Sequence, residues 1–487
     1  MNLRQKAAKG VAWSAIENWG NQAIYFVLFL VLARLLPPEA FGLVSLAGIL
    51  IGFMMVFADQ GISDALIQRQ ELEPEHLDTA FWTNLGVSAL LTIFSIAAAQ
   101  PVSNLFHQPQ LIPIICWLSP SFLASGLSSV QQSLLRRQFA FRALAVRSLL
   151  ALSVGGIVGV SMAYMGWGVW SLVGQQLVGR LVTVLALWWV SDWRPGFRIS
   201  AKHFKELFSF GIKMLGSSIL AFFSIRSDDF LIGYFLGPVA LGYYTVAYRL
   251  LVAMTQMISA TTRQVALPIF SRLQQQTEQL RQAFLSATQF LSLFVFPTAL
   301  GLVTLAPEVV RTLFGEQWIP SVPVMQILAL SVITQIVGSL GGIILVAVGK
   351  PDWGFKMILL NTVVNVIGFA IAVRWGIVAV AASFVMRDYL LQPLLFWLIY
   401  KLTGIKVFTY LRQFVVPLLG SLIMIIFILG AKLFLGNLLN AQALLATCVT
   451  LGASIYIATI LLIAPKIFWQ VVNFAGLSLG ISKLKKT

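Results

Sequence analysis

Apolar runs long enough to carry a helix across a bilayer, about 20 residues, recur from one end of this chain to the other, with the polar positions gathered in short connectors between them. The runs predict helices over 10–35, 41–63, 79–100, 111–134, 144–165, 168–190, 208–235, 241–263, 284–305, 322–347, 354–373, 376–400, 413–435 and 441–463. A backbone in lipid must satisfy its own hydrogen bonds, which an uninterrupted apolar stretch does as a helix. The pattern is that of an all-α integral membrane protein of about fourteen transmembrane helices. Its longest connectors, 62–78, 191–207, 264–283 and 306–321, are too short for a soluble catalytic domain.

Composition agrees: hydrophobic residues fill 59% of the 487 positions and charged residues 10%, against roughly 25% charged in a soluble domain. Lys and Arg outnumber Asp and Glu, 33 to 17. In a membrane chain that excess reports topology rather than nucleic-acid binding, because positive residues near helix ends resist translocation. With the N-terminus in the cytoplasm, twenty-four of the 33 basic residues fall in cytoplasmic segments, and only Arg34, Arg311, Arg374 and Lys432 fall on the far side. The other five, Arg180, Lys213, Arg226, Arg249 and Arg387, lie inside predicted helices. The basic tail of Lys483, Lys485 and Lys486 then predicts a cytoplasmic C-terminus and an even helix count. The N-terminal MNLRQKAAKG precedes an apolar run reaching Leu36, longer than a cleavable signal, and reads as the first helix. Cys116 and Cys448 lie far apart within apolar runs and read as packing rather than as a disulfide or a metal pair.

An internal repeat divides the helices. Residues 33–47, ARLLPPEAFGLVSLA, align without gaps on 233–247, GYFLGPVALGYYTVA, pairing Leu36 with Leu236, Pro38 with Pro238, Ala40 with Ala240, Gly42 with Gly242 and Ala47 with Ala247. Trp167-Gly168 pairs more weakly with Trp375-Gly376. Six helices separate the copies, so they are parallel repeats about an axis along the membrane normal. The expected organisation is an N-lobe over 1–190, a cytoplasmic linker over 191–207, a C-lobe over 208–400, and two further helices with a basic tail over 401–487. The linker, RPGFRISAKHFKELFSF, mixes Phe197, Phe204 and Phe208 with Arg194, Arg198, Lys202 and Lys205, the signature of an amphipathic segment at a membrane surface, its bases at lipid headgroups.

No phosphate loop, nucleophile elbow or locally spaced His pair occurs; His76, His107 and His203 are scattered, and neither a catalytic residue nor a metal or cofactor site is expected. Asp228-Asp229 invites comparison with a glycosyltransferase acidic pair, but the outer loops are too short for the sugar-binding domain such an enzyme needs. What remains are charges inside helices, which face a bundle interior or a wet cavity and read as functional. At 1.5 Å per residue, Arg226 and Arg249 come out at similar depth on neighbouring helices, Arg180 and Arg387 near the midplane, and Glu17 and Asp59 in the cytoplasmic half. One reading makes the arginines a cationic cavity that binds phosphate bidentately. The other pairs Arg226 with Asp229 and Arg387 with Asp388 as helix-to-helix ties. Glu17, beside Asn18 and Asn21 in the first helix, fits a proton or cation relay, a sugar contact or an interhelical hydrogen bond.

The N-terminal run KGVAWSAIENWGNQAIYFVLFLVLARLLPPEAFGLVSLAGILIGF, then FADQGISDALIQR and RSDDFLIGYFLGPVALGYYTVAYRL, resemble the polysaccharide and lipopolysaccharide flippases of the Wzx/WzxC type, in the multidrug/oligosaccharidyl-lipid/polysaccharide exporter superfamily. The resemblance implies a bacterial inner-membrane protein with a V-shaped pair of lobes. Its cavity, with Arg226 and Arg249 at the diphosphate, would pass an undecaprenyl-diphosphate-linked oligosaccharide to the periplasmic leaflet by alternating access. It implies partners among membrane lipids and other polysaccharide-assembly proteins, and for some relatives coupling to H+ or Na+, with no ion site carried over. A cation-coupled multidrug exporter of the same superfamily is the alternative, but cationic drugs call for an acidic cavity and the arginines for an anion. A membrane glycosyltransferase or polymerase is a second.

Overall fold

The computed structural model describes residues 3–58, 62–69, 71–466 and 469, and among them no residue is in a strand. Fifteen α-helices follow one another: α1 Leu3–Leu35, α2 Pro38–Ala58, α3 Ile62–Gln68, α4 Pro74–Phe106, α5 Leu111–Leu118, α6 Ser121–Arg137, α7 Phe141–Tyr164, α8 Val169–Val190, α9 Ala201–Leu273, α10 Thr277–Leu313, α11 Val322–Ala347, α12 Pro351–Ala372, α13 Ile377–Thr403, α14 Val407–Leu435 and α15 Ala441–Ile463. Twelve spans among the described residues are long and apolar enough to cross a membrane, so this is a multi-pass membrane protein. α1 stands outside the twelve; Asn18, Asn21 and Gln22 interrupt its apolar run.

Differences from the expected helices have local causes. The span expected over 111–134 is one crossing, Leu111–Arg137, made of two helices, α5 and α6, meeting at Ser119 and Pro120. Pro120 lacks the N–H that a continuing helix would donate, and the Ser119 hydroxyl turns back onto Ile115 O at 2.7 Å. The helices expected over 208–235 and 241–263 are both present within α9, which is broken between them at Gly237, where φ is 81° and ψ −179°. Gly237 is the counterpart of Pro37, which sits in the short turn between α1 and α2, so the repeat reuses one corner with two different residues. The 191–207 linker is irregular only as far as Ser200, and α9 starts at Ala201. Asp59 and the tail lysines lie outside the described residues.

Two compact units divide the packing, Met1–Thr245 and Val246–Thr487. In the first, α7 lies along α8 and α1 along α7. The α7–α8 approach is close: a Cβ on Gly155 would stand 2.6 Å from Gln175 O, and one on Gly159 2.7 Å from Gln175 Cβ. Small residues four apart let two helix backbones meet in this way. In the second unit α10 packs on α11 and α14, and α14 on α15. Cys448 sits there fully buried among Met424, Ile428 and Leu444, a packing residue.

The two turns of the repeat touch each other within the first unit. Ser45 Oγ lies 3.3 Å from Thr245 Oγ1, a pair at the repeat offset of 200. A Cβ on Gly42 would lie 1.7 Å from Pro238 O, and one on Gly242 2.0 Å from Pro38 O. Each repeat thus presents its glycine to the other's proline carbonyl, the reciprocity of a two-fold contact. The second repeat pair behaves alike: Gly168 and Gly376 open α8 and α13 at φ 56° and 92°, a left-handed region that glycine enters without strain.

Candidate functional site

Helical spacing alone forms the first intramembrane cluster. Arg226 and Asp229, one turn apart on α9, pair at 2.7 Å between Nη1 and Oδ2. The Asp229 side chain is 10% exposed but that of Arg226 42%, so the guanidinium is tethered by its carboxylate while part of its surface is open. Asp228 is buried and accepts the Tyr244 hydroxyl at Oδ2, 2.9 Å, and the Asp229 backbone N–H at Oδ1, 2.9 Å. Since Tyr244 lies beyond Gly237, this bond fastens the two arms of the α9 turn together. The second aspartate is thereby a tie between helix arms, a role its position beside Asp229 does not reveal.

The second cluster lies in α11–α13. Arg387 Nη2 meets Asp388 Oδ1 at 2.9 Å, both side chains about nine-tenths buried. Arg387 Nη1 donates to Asn361 Oδ1 at 3.2 Å, its guanidinium carbon lies 4.7 Å from the Phe384 ring centroid, and Asp388 Oδ2 accepts from Thr334 Oγ1 at 3.5 Å. This ion pair joins three helices. Arg249 is half-buried on α9 past the turn.

A third group forms between α1 and the α6–α8 helices. Asn21 Nδ2 donates to Ser148 Oγ at 2.7 Å, and Glu17 Oε1 lies 4.0 Å from Arg147 Nη2. Arg147 Nη1 in turn donates to Gln132 Oε1 at 2.9 Å. Of the three readings open for Glu17, the geometry displays the interhelical contact; Asn18 and Trp19 are exposed. Arg147, counted above with the cytoplasmic positives, stands inside α7. Arg136 on α6 and Arg180 on α8 are close enough to repel it. Arg180 is exposed and makes no ion pair among the described residues. Arg147 thus has one carboxylate near it and two guanidiniums close enough to repel it. Arg136 and Arg147 were missed because a base near a helix end reads as topology before it reads as chemistry.

A fourth group was invisible in sequence. The irregular segment before α9 is strapped to the start of α4. Gly196 N–H donates to Asp78 Oδ1 at 2.9 Å, Trp82 Nε1 to Gly196 O at 2.7 Å, and Ser200 N–H to Thr79 Oγ1 at 3.1 Å. Phe197 stacks on Trp82 with ring centroids 5.2 Å apart, and Arg69 pairs with Glu206 at 2.7 Å. That guanidinium holds the Glu206 carboxyl below the usual carboxylate range.

Known proteins match this chain along most of its length. The succinoglycan biosynthesis transport protein ExoT of Rhizobium meliloti (strain 1021) is 32% identical over 326 residues, 66% of this chain and 65% of that protein, just under two thirds of its length. The lipopolysaccharide biosynthesis protein WzxC of Escherichia coli (strain K12) is 26% identical over 368 residues, 74% of each chain. Among solved structures, the lipid II flippase MurJ in an inward closed conformation superposes with a TM-score of 0.75 at 14% identity, covering 93% of this chain and 98% of that one. Identity that low speaks for the fold alone, and a TM-score that high makes the fold the same. Residues 31–323 match a family described as polysaccharide biosynthesis protein, and the chain belongs to that family.

Proposed function

We propose that the protein is a flippase that moves an undecaprenyl-diphosphate-linked oligosaccharide from the cytoplasmic to the periplasmic leaflet by alternating access, without covalent chemistry. The relatives named for succinoglycan transport and lipopolysaccharide biosynthesis and the MurJ-like fold support a lipid-linked saccharide as cargo. The observation that carries the reading is the positive excess at Arg136, Arg147 and Arg180 against Glu17. Cationic side chains uncompensated among membrane-spanning helices are costly unless an anion completes them, and guanidinium forks suit a diphosphate. The part-exposed Arg226 is a second candidate contact, and Arg249 a third. Fourteen crossings follow if α1 spans and Ser218–Gln256 counts as two at its Gly237 turn; both termini then lie in the cytoplasm of the inner membrane.

The test is reconstitution in liposomes with a fluorescent undecaprenyl-diphosphate sugar, read by leaflet accessibility. Arg180→Ala and Arg147→Ala should each slow transfer about tenfold or more, the loss expected of one charge-assisted contact, while Lys356→Ala, an exposed cytoplasmic-side residue, should not. If the lipid fails to redistribute, or Arg180→Ala, Arg147→Ala, Arg226→Ala and Arg249→Ala all match the parent, the reading is wrong.

A further inference from the structure

Beside the strap, chain folding gathers the metal-ligating side chains that sequence spacing kept apart. His76 closes the first turn of α4 and His203 the first turn of α9; their rings lie 3.9 Å apart between centroids. Glu73, His76 and His203 each bring one ligand-capable atom within 4.8 Å of the others. Both histidines are more than nine-tenths buried, and His76 Nε2 and His203 Nδ1 make no hydrogen bond.

The protonation pattern suits a cation. His76 Nδ1 accepts the Glu73 backbone N–H at 3.2 Å, so Nδ1 carries the lone pair and Nε2 the proton. Nε2 faces Glu206 Oε2 at 3.7 Å, and Glu206 is held in turn by Arg69. A carboxylate behind one ring nitrogen and a lone pair, here held only by a long backbone contact, on the other is the arrangement that orients a metal-bound imidazole. His203 Nε2 stands 3.4 Å from Glu73 Oε2, long for a charge-assisted hydrogen bond. It equals the edge of a tetrahedron whose ligands sit about 2.1 Å from a central ion.

We propose that Glu73, His76 and His203 bind a first-row divalent cation of the zinc class at the cytoplasmic end of the first unit, pinning the strap before α9 to the start of α4. His76 coordinates through Nδ1 in place of its long backbone contact, His203 through Nε2 and Glu73 through Oε2, with Glu206 orienting His76 from behind. Two imidazoles and one carboxylate favour zinc and its neighbours over calcium or magnesium, which prefer all-oxygen sites. Three protein ligands leave one coordination position for water. The site is independent of the flippase reading, since none of its residues belongs to the arginine clusters.

The experiment uses tag-free, full-length protein in nanodiscs, titrated with Zn2+ against a chromophoric chelator, with Co2+ as a spectroscopic stand-in. One equivalent should bind, and the Co2+ form should show visible d–d bands. Glu73→Gln and His203→Gln should each weaken Zn2+ at least tenfold and remove the bands. Glu73 is exposed and its amide can still cap α4, so E73Q keeps the fold, and a matching unfolding midpoint without metal verifies this. His107→Gln should change nothing. Substoichiometric Zn2+, or binding unchanged in both E73Q and H203Q, or binding abolished by H107Q, overturns the proposal.

Discussion

Replacing Gly42 by alanine should part the two contacting turns of the repeat. An alanine in place of a mid-helix glycine ordinarily stabilises by about 1 kcal/mol through backbone entropy. Here the new Cβ would stand 1.7 Å from Pro238 O, where real Cβ contacts essentially never fall under 3.0 Å. The turns must move apart by about 1.3 Å, the difference of those two distances. The obstructing atom is a backbone carbonyl, which cannot rotate away as a side chain can. Overpacking of this kind costs about 1–3 kcal/mol, and separation also forfeits the Ser45–Thr245 contact, about 1 kcal/mol. The sum, about 2–4 kcal/mol against the closed contact, corresponds to a shift of about 30- to 1000-fold in its population. Cysteines at the Ser45 and Thr245 positions report it, since hydroxyls 3.3 Å apart place the corresponding sulfurs within reach of a disulfide. Cross-linking under mild oxidant should be rapid in the parent background, with Cys116→Ser to remove the half-buried thiol, and at least tenfold slower with Gly42→Ala. Gly48→Ala on the same helix, where a Cβ meets nothing within 4 Å, is the control and should leave it unchanged. Equal cross-linking in G42A and G48A would refute the steric argument, whatever happens to transport.

Other perturbations address the charged clusters. Tyr244→Phe removes the hydroxyl from the buried Asp228 carboxylate and should lower stability by about 1.5–3 kcal/mol, read as a reduced unfolding midpoint in detergent. Asp388→Leu takes the carboxylate from a guanidinium about nine-tenths buried and should cost about 3–5 kcal/mol; adding Arg387→Met should recover most of that, because the uncompensated charge rather than the lost pair dominates. Asp78→Ala deletes the acceptor of Gly196 N–H and should speed limited proteolysis within 191–200 severalfold without lowering the global unfolding midpoint by more than a few degrees. Glu17→Gln makes the α6–α8 cluster one charge more positive while keeping an acceptor for Arg147; binding of an anionic undecaprenyl-diphosphate analogue, measured by fluorescence quenching, should tighten about 5- to 30-fold, and unchanged affinity would separate Glu17 from the anion.

The helices were legible because their cause is local. A run of about 20 apolar residues satisfies its own hydrogen bonds in lipid as a helix, and each of the twelve apolar spans among the described residues overlaps an expected run, the turn at Gly237 falling between two of those runs. The break between α5 and α6 was not legible from hydropathy because the apolar run continues through Ser119-Pro120, where the interruption is in the hydrogen-bond ladder. Among the charges, Arg226 with Asp229 and Arg387 with Asp388 could be paired on paper, since both partners lie within one helical turn. Asp228 with Tyr244 could not, because the bond spans a corner whose geometry is set by a glycine at positive φ. His76 with His203 could not either: a contact between two helix starts depends on the path of the strap, and no periodicity encodes that path.

The same distinction separates fixed charges from those free to act. A carboxylate on the same helix within a turn of an arginine stays beside it as that helix moves, so Arg387, buried against the adjacent Asp388 and Asn361, is built for permanence. Arg226 is intermediate, held at one nitrogen by Asp229 yet with 42% of its side chain exposed. Arg147 and Arg180 differ because their neighbours come from other helices: Glu17 is contributed by α1 at 4.0 Å, beyond a direct hydrogen bond, and Arg136 adds repulsion. Charges held at such distances interact by about 2–4 kcal/mol at an effective dielectric near 20, enough to favour an anion strongly and small enough to be reversed when α1 shifts against α7. An anion carrier needs both properties, since a site that binds a diphosphate on one side must release it on the other. On the proposed function, the working charge is assigned to the cross-helix cluster of α1, α6, α7 and α8, and the pairs most readable in sequence are the ones least free to take part.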